Sequence, residues 1–169
     1  YGNLIVQENA TIQTNAYDNA EHGLLVCWNF TNNGTVKGSE WVQRAWGCYR
    51  YGGCWETIAY YSYTHISVKG NILNNASGNI ATYTTIDTYW NFTNQWRMSS
   101  ATLNATSFTG SFANTGSGNI DSSTIQYKWL SLVNSSIIAN SNIQAINASS
   151  IVNNNGSTLS NSNLQTSAS

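Results

Sequence analysis

Few residues in this chain could do acid–base or nucleophilic chemistry. The carboxylates are Glu8, Glu21, Glu40, Glu56, Asp18, Asp87 and Asp121; the histidines are His22 and His65. A glycosidase needs two carboxylates facing one another across the scissile bond. Only Glu40 and Glu56, which flank a Trp-rich stretch, qualify as a candidate pair. His22 or His65 could serve as a base, but no Gly-x-Ser-x-Gly or Cys–His setting surrounds either one. His65 lies in a strand-like run and reads as a sheet residue. There is no phosphate-binding glycine loop and no Asp-rich calcium loop. The expectation is a chain that is not an enzyme and has no metal or cofactor, its only attached groups being covalent glycans.

The cysteines carry a different chemistry. Cys48 and Cys54 are separated by Tyr-Arg-Tyr-Gly-Gly, and the two glycines let the chain turn back on itself. A small-loop disulfide between them is feasible; the alternative pairs Cys27 with one of the two. Without Cys-x-x-Cys spacing or flanking His they do not read as a zinc site. A disulfide favours an extracellular setting. All three lie in residues 24–63, together with Trp28, Trp41, Trp46 and Trp55. This stretch should form the core. If exposed, Trp41, Trp46, Trp55, Tyr49 and Tyr51 would make sugar-stacking platforms, the basis of an alternative reading as a lectin-like or viral receptor-binding module. Arg44 and Arg50 could cap the region by stacking on an aromatic face.

Only 8% of the 169 residues are charged, against roughly 25% in an average soluble domain. The polarity comes from 25 Asn and 40 Ser plus Thr. Six Lys plus Arg do not supply the cationic footprint of a nucleic-acid binder. Seven carboxylates leave little to lose on acidification, so an acidic external medium fits. Asn-x-Ser/Thr occurs nine times, at Asn9, Asn29, Asn33, Asn75, Asn91, Asn104, Asn134, Asn147 and Asn155. Two of these, at Asn33 and Asn155, are also Asn-Gly turns, where a glycan can be carried. No apolar run is long enough to span a membrane. The sequence starts at Tyr1 and not Met, as a processed secretory chain would.

The elements that must position these residues read as strands. Apolar residues alternate in an N-terminal segment, residues 1–16, placing Leu4, Val6, Ala10 and Ile12 on one face and Ile5 on the other. Residues 17–133 contain eight or nine β-branched and aromatic runs separated by Gly/Asn turns. The expected fold is an all-β antiparallel β-sandwich, pilin- or immunoglobulin-like. Residues 134–169 have no charge and no aromatic side chain. Their apolar residues Ile137, Ile143, Ile146, Ile151, Leu159 and Leu164 recur at three to eight positions, an irregular spacing where a β-solenoid would show a stricter one. They read as further strands and an extended tail, disordered past Thr166. There is no proline to block edge pairing.

In whole-chain composition, sequon count and apolar N-terminal strand, the sequence resembles the glycosylated subunits of archaeal surface filaments, the thread-type pili. That resemblance implies subunits joined head to tail, the N-terminal strand of one completing the sandwich of the next. The residues bound to the neighbouring subunit would be Leu4, Ile5, Val6, Ala10 and Ile12, with Glu8 as a departure from the apolar face. It also implies a homopolymeric, extracellular cell-surface appendage serving adhesion or cell–cell contact. Copies of itself and surface carbohydrate would be its partners.

Overall fold

A computed structural model describes residues 2–14, 21–46, 55–105, 110–127, 131–146, 150–154 and 156–167. It is all-β, but it is not an antiparallel sandwich. The strands stack in parallel as a three-sided β-solenoid, each side holding seven strands. The first face comprises Leu4–Val6, Phe30–Asn32, Ile72–Asn74, Phe92–Asn94, Ser111–Asn114, Ser131–Asn134 and Ser150–Asn153. The second comprises Thr11–Gln13, Thr35–Lys37, Asn79–Ile80, Arg97–Ser99, Asn119–Asp121, Ile137–Ala139 and Thr158–Ser160. The third comprises Glu21–Cys27, Trp55–Val68, Thr84–Thr88, Thr102–Ala105, Thr124–Tyr127, Asn142–Ile146 and Asn163–Ser167. From the first rung to the last the chain makes about six turns.

Most strands on the first two faces are three residues long, so each contributes one or two inward side chains. This explains the irregular apolar spacing in residues 134–169. Apart from Ile143 and Ile146, successive apolar residues of that list belong to different faces, and the corners between faces differ in length. The repeat that does hold is the full turn. Asn32, Asn74, Asn94, Asn114, Asn134 and Asn153 occupy one register position on the first face, at intervals of 42, 20, 20, 20 and 19 residues. The long interval contains one insertion, an antiparallel arm in which Ser39–Trp46 pairs with the first half of Trp55–Val68. That arm is the only antiparallel pairing among the described residues.

Inward residues form columns. Phe30, Ile72, Phe92, Phe112 and Leu132 line the first face, with Phe92 and Phe112 stacked at 5.4 Å and 4°. Val36, Ile80, Met98, Ile120 and Ile138 line the second; Ile66, Ile86, Leu103, Ile125 and Ile143 line the third. Beside the Phe column runs a buried amide ladder. Asn32 Nδ2 donates to Asn74 Oδ1 at 2.8 Å, and the pattern repeats through Asn94, Asn114, Asn134 and Asn153 at 2.7–2.9 Å. The second N–H of each inner amide goes to a main-chain carbonyl: Arg97 for Asn74, Trp96 for Asn94, Ile137 for Asn114, Thr158 for Asn134. At the corner before the third face, Tyr83, Ser100, Ser122, Asn140 and Asn161 all take positive φ, between +46° and +60°. The same turn is thus stacked in five successive rungs. Hydroxyls of Ser123, Ser141 and Ser162 accept there from the main-chain N–H of the rung before.

The N-terminal strand, which the filament resemblance would give to a neighbouring subunit, pairs within its own chain. Leu4–Val6 pairs with Phe30–Asn32, and Thr11–Gln13 with Thr35–Lys37. Val6 is buried and Leu4 and Ile12 pack against the core, while Ile5 points out at 54% exposure. Leu4, Val6, Ala10 and Ile12 do not share one strand face, because the chain turns a corner at residues 7–10, where Ala10 N–H bonds to Gln7 O.

Three stability outcomes follow. Asn114→Ala leaves one Asn94 N–H without its acceptor and takes one donor from each of Asn134 Oδ1, Gly118 O and Ile137 O, costing about 2 kcal/mol or more in thermal or urea unfolding. Gln144→Ala in the exposed Gln126–Gln144–Gln165 row should cost about 0.5 kcal/mol or less. Tyr127 is buried and its hydroxyl has no partner among the described residues. Burial raises its pKa far above the ordinary tyrosine value of about 10, so the unfolded chain ionises first. Its contribution is present below about pH 10 and is lost as pH rises beyond it. Tyr127→Phe should unfold at equal or higher urea at neutral pH and lose less stability above pH 10.

Candidate functional site

The corner between the third and first faces combines exposed aromatics with a row of amides. Its lengths vary between rungs, but each has a polar residue one position before the inward Phe or Ile of the first-face strand: Asn29, Asn71, Asn91 and Ser111. These side chains form a second ladder, on the surface. Asn29 Nδ2 donates to Asn3 Oδ1 at 3.1 Å, and Asn91 Nδ2 to Asn71 Oδ1 at 3.1 Å. Asn29 Oδ1 accepts from Asn71 N–H at 2.9 Å, and Asn91 Oδ1 from Ser111 N–H and Oγ at 3.0 and 2.8 Å.

Immediately before these four residues stand Trp28, Gly70, Trp90 and Gly110. The glycines are required by close approach. A Cβ on Gly70 would lie 2.8 Å from Trp28 O and 2.3 Å from Asn29 Oδ1; one on Gly110 would lie 2.6 Å from Trp90 O. Each rung following a tryptophan therefore passes tightly over that tryptophan's main chain. The indoles themselves are free of such constraint: Trp28 is 55% and Trp90 50% exposed. Two rungs separate them, about 9.6 Å at ~4.8 Å per strand. Between them Lys69 Nζ sits 4.1 Å over the Tyr89 ring, a cation–π contact that covers one aromatic face.

The sequence signal for this site is a pentapeptide that occurs twice, Trp-Asn-Phe-Thr-Asn at 28–32 and at 90–94. Sequence reasoning counted both copies as sequons and did not compare them. The Phe and final Asn belong to the two interior columns, and the first Asn to the surface ladder. The Trp is the part that the fold does not require.

The residues singled out from sequence fall elsewhere. The side chains of Trp41, Trp46, Trp55, Arg44, Glu56 and His22 lie outside the described residues, as do Tyr49, Arg50, Tyr51, Cys48 and Cys54. Their proposed sugar platform and disulfide are thus outside the described part of the molecule. Cys27 is a buried free thiol at the end of Glu21–Cys27. On the antiparallel arm Glu40 is opposite Tyr61 and Glu56 opposite Ala45. Five register positions separate them, about 17 Å at ~3.4 Å each, too far for a glycosidase pair. His65 is more than a plain sheet residue: its Nε2 lies 2.6 Å from Asp87 Oδ2, and Asn104 donates to Asp87 Oδ1 at 3.1 Å. Among the described residues no group of three His, Cys, Asp or Glu could hold a metal, and no helix is long and apolar enough to cross a membrane. Trp96, Arg97, Ser117 and Asn119 line a shallow cavity of about 260 Å³ at the corner between the first and second faces.

The nine sequons divide by surroundings. Asn9 is exposed on a turn at φ +65°. Asn29, Asn33, Asn75, Asn91 and Asn104 are half-buried, and each donates one amide N–H to the protein, leaving the other for a glycosidic link. Asn134 is 1% exposed and gives both N–H groups to the interior, so the folded chain has no room for a glycan there. Asn147 and Asn155 lie outside the described residues.

The sequence matches no known protein family, and no curated protein or solved structure matches it.

Burial holds the Cys27 thiol protonated, raising its pKa above the ordinary cysteine value. Peptide mapping after iodoacetamide treatment at mildly alkaline pH should find Cys27 unmodified in the native chain and alkylated in denaturant.

Proposed function

We propose that this chain is a non-catalytic, extracellular structural subunit whose copies stack end to end into an N-glycosylated filament serving adhesion or cell–cell contact. The observation that carries this reading is the pair of solenoid ends. One end presents the free edges of Leu4–Val6, Thr11–Gln13 and Glu21–Cys27, the other those of Ser150–Asn153, Thr158–Ser160 and Asn163–Ser167. None of these strands has a proline and Glu21 is their one acidic or basic residue besides His22, so the devices that usually protect an edge from pairing are nearly absent.

All strands on a face run the same way, so the N–H and C=O rows at one end have the polarity the other end continues. Such a contact is heterologous and does not close, the geometry of a filament. No strand need be exchanged: the next rung is added whole. This replaces the sandwich-completing donor strand, which requires a fold the chain does not have. Glycans fit the same reading, since six sequons sit where a sugar can be attached without breaking either ladder.

Negative-stain microscopy of the purified chain at high concentration should show unbranched filaments one solenoid wide. The double variant Thr11→Lys/Thr158→Lys, a charge on each open edge, should stay monomeric with an unchanged circular dichroism spectrum. Wild-type protein that sediments only as monomer would overturn the reading. In a glycosylating host, glycopeptide mapping should find sugar on some of Asn9, Asn29, Asn33, Asn75, Asn91 and Asn104, and none on Asn134.

A further inference from the structure

We propose that the Trp28–Trp90 corner is a saccharide-binding site for a neutral, extended β-1,4-linked chain. Three observations converge on it. First, two indoles on one corner are about half exposed, the most exposed of the described tryptophans, while the inward columns of the same rungs are buried almost completely. Large exposed aromatics are costly to leave in water and mark contact sites when they align. Second, they alternate with glycine: Trp28, Gly70, Trp90, Gly110. Gly70 thus adds no side chain of its own between the indoles, where Lys69 lies over Tyr89, and their separation is two rungs, about 9.6 Å. In an extended β-1,4-linked chain alternate sugars turn the same face to one side. Two platforms set two sugars apart would stack on equivalent apolar faces, with the intervening sugar above Gly70.

Third, hydrogen-bonding groups lie alongside at the same spacing. Asn29 and Asn91 each keep one N–H of Nδ2 outside the surface ladder, and Asn71 Nδ2 has no partner among the described residues. Neutral amides suit sugar hydroxyls. No carboxylate or guanidinium stands in this row, and the Lys69 ammonium is engaged on Tyr89. The ligand is thus an uncharged sugar chain and not a uronate or a sulfated one.

Asn29 and Asn91 are themselves sequons, so the occupant has two sources. It is either a separate polysaccharide or the chain's own N-glycans folded back on the adjacent indoles. Isothermal titration of the full chain with cellohexaose and chitohexaose, in unglycosylated and glycosylated forms, distinguishes them. The unglycosylated chain should bind at least one of these oligosaccharides. Trp28→Ala or Trp90→Ala should weaken binding roughly tenfold or more, while Trp96→Ala at the other corner leaves it unchanged. Binding by the glycosylated form as well assigns the site to a separate polysaccharide. Binding restricted to the unglycosylated form assigns it to the attached glycans. If the folded, unglycosylated chain binds neither probe, or if binding survives Trp28→Ala/Trp90→Ala, the site does not exist. Thermal melts of each variant check that the solenoid is intact. The corner is on the side of the rod, so this result is independent of whether the ends polymerise.

Discussion

The buried asparagine ladder is the constraint on which the rest of the solenoid depends. The side chains of Asn32, Asn74, Asn94, Asn114 and Asn134, each ending a first-face strand, are buried. An unpaired amide there would be expensive, and a hydrophobic one would leave the adjacent corner carbonyls without donors. Asparagine meets both demands when it is stacked on copies of itself. Its oxygen accepts from the rung before, one N–H goes to the rung after, and the other N–H closes the corner. The ladder works in one register only, since a slip of one residue would put the amides outside. It therefore fixes strand alignment on all three faces, which the short strands could not do by themselves. Its first member shows how it starts: Asn32 has Val6, not Asn, in register on the preceding rung, and its oxygen accepts from Gly34 N–H instead.

Stacking in parallel also explains the scarcity of charge. Every position in a rung lies about 4.8 Å from its counterparts above and below. A charged residue repeated there would face like charge across each step, which is destabilising. Amides and hydroxyls repeat without penalty and bond to their copies. The charges that are present obey this rule. Asp87 lies in register between Ser67 and Asn104, Arg97 between Asn79 and Asn119, and Asp121 between Ser99 and Ala139. The architecture is thus sufficient reason for the 8% charge content, and the composition need not reflect an acidic medium.

What was legible in the sequence was strand content, turn chemistry and the absence of helix. The parallel arrangement was not, for two physical reasons. With three faces per turn, Leu132, Ile138 and Ile143 are successive core residues on three different faces that never pair with each other, so their separations carry no period. The residue that does carry it, the ladder asparagine, is hidden among 25 asparagines, and the antiparallel arm doubles one interval. Short β-branched runs bounded by Gly and Asn look alike whether the next run pairs beside them or turns away. Of the site, the sequons were legible and their accessibility was not: Asn91 and Asn134 read identically as sequence, yet one amide lies on the surface ladder and the other is buried.

The corner tryptophans are informative because the fold explains everything around them. In Trp-Asn-Phe-Thr-Asn, Phe30 and Phe92 fill the apolar column, Asn32 and Asn94 continue the interior ladder, and Asn29 and Asn91 join the surface one. The rung between the two copies builds the same three columns from Asn71, Ile72 and Asn74 without a tryptophan, placing Gly70 at the corner instead. A solenoid rung is therefore complete without the indole. Its recurrence two turns later, again followed by a glycine that the close approach of the next rung requires, is not accounted for by packing. A side chain that the core does not need, held twice at one edge of the rod beside spare amide donors, is explained by what it meets outside the chain.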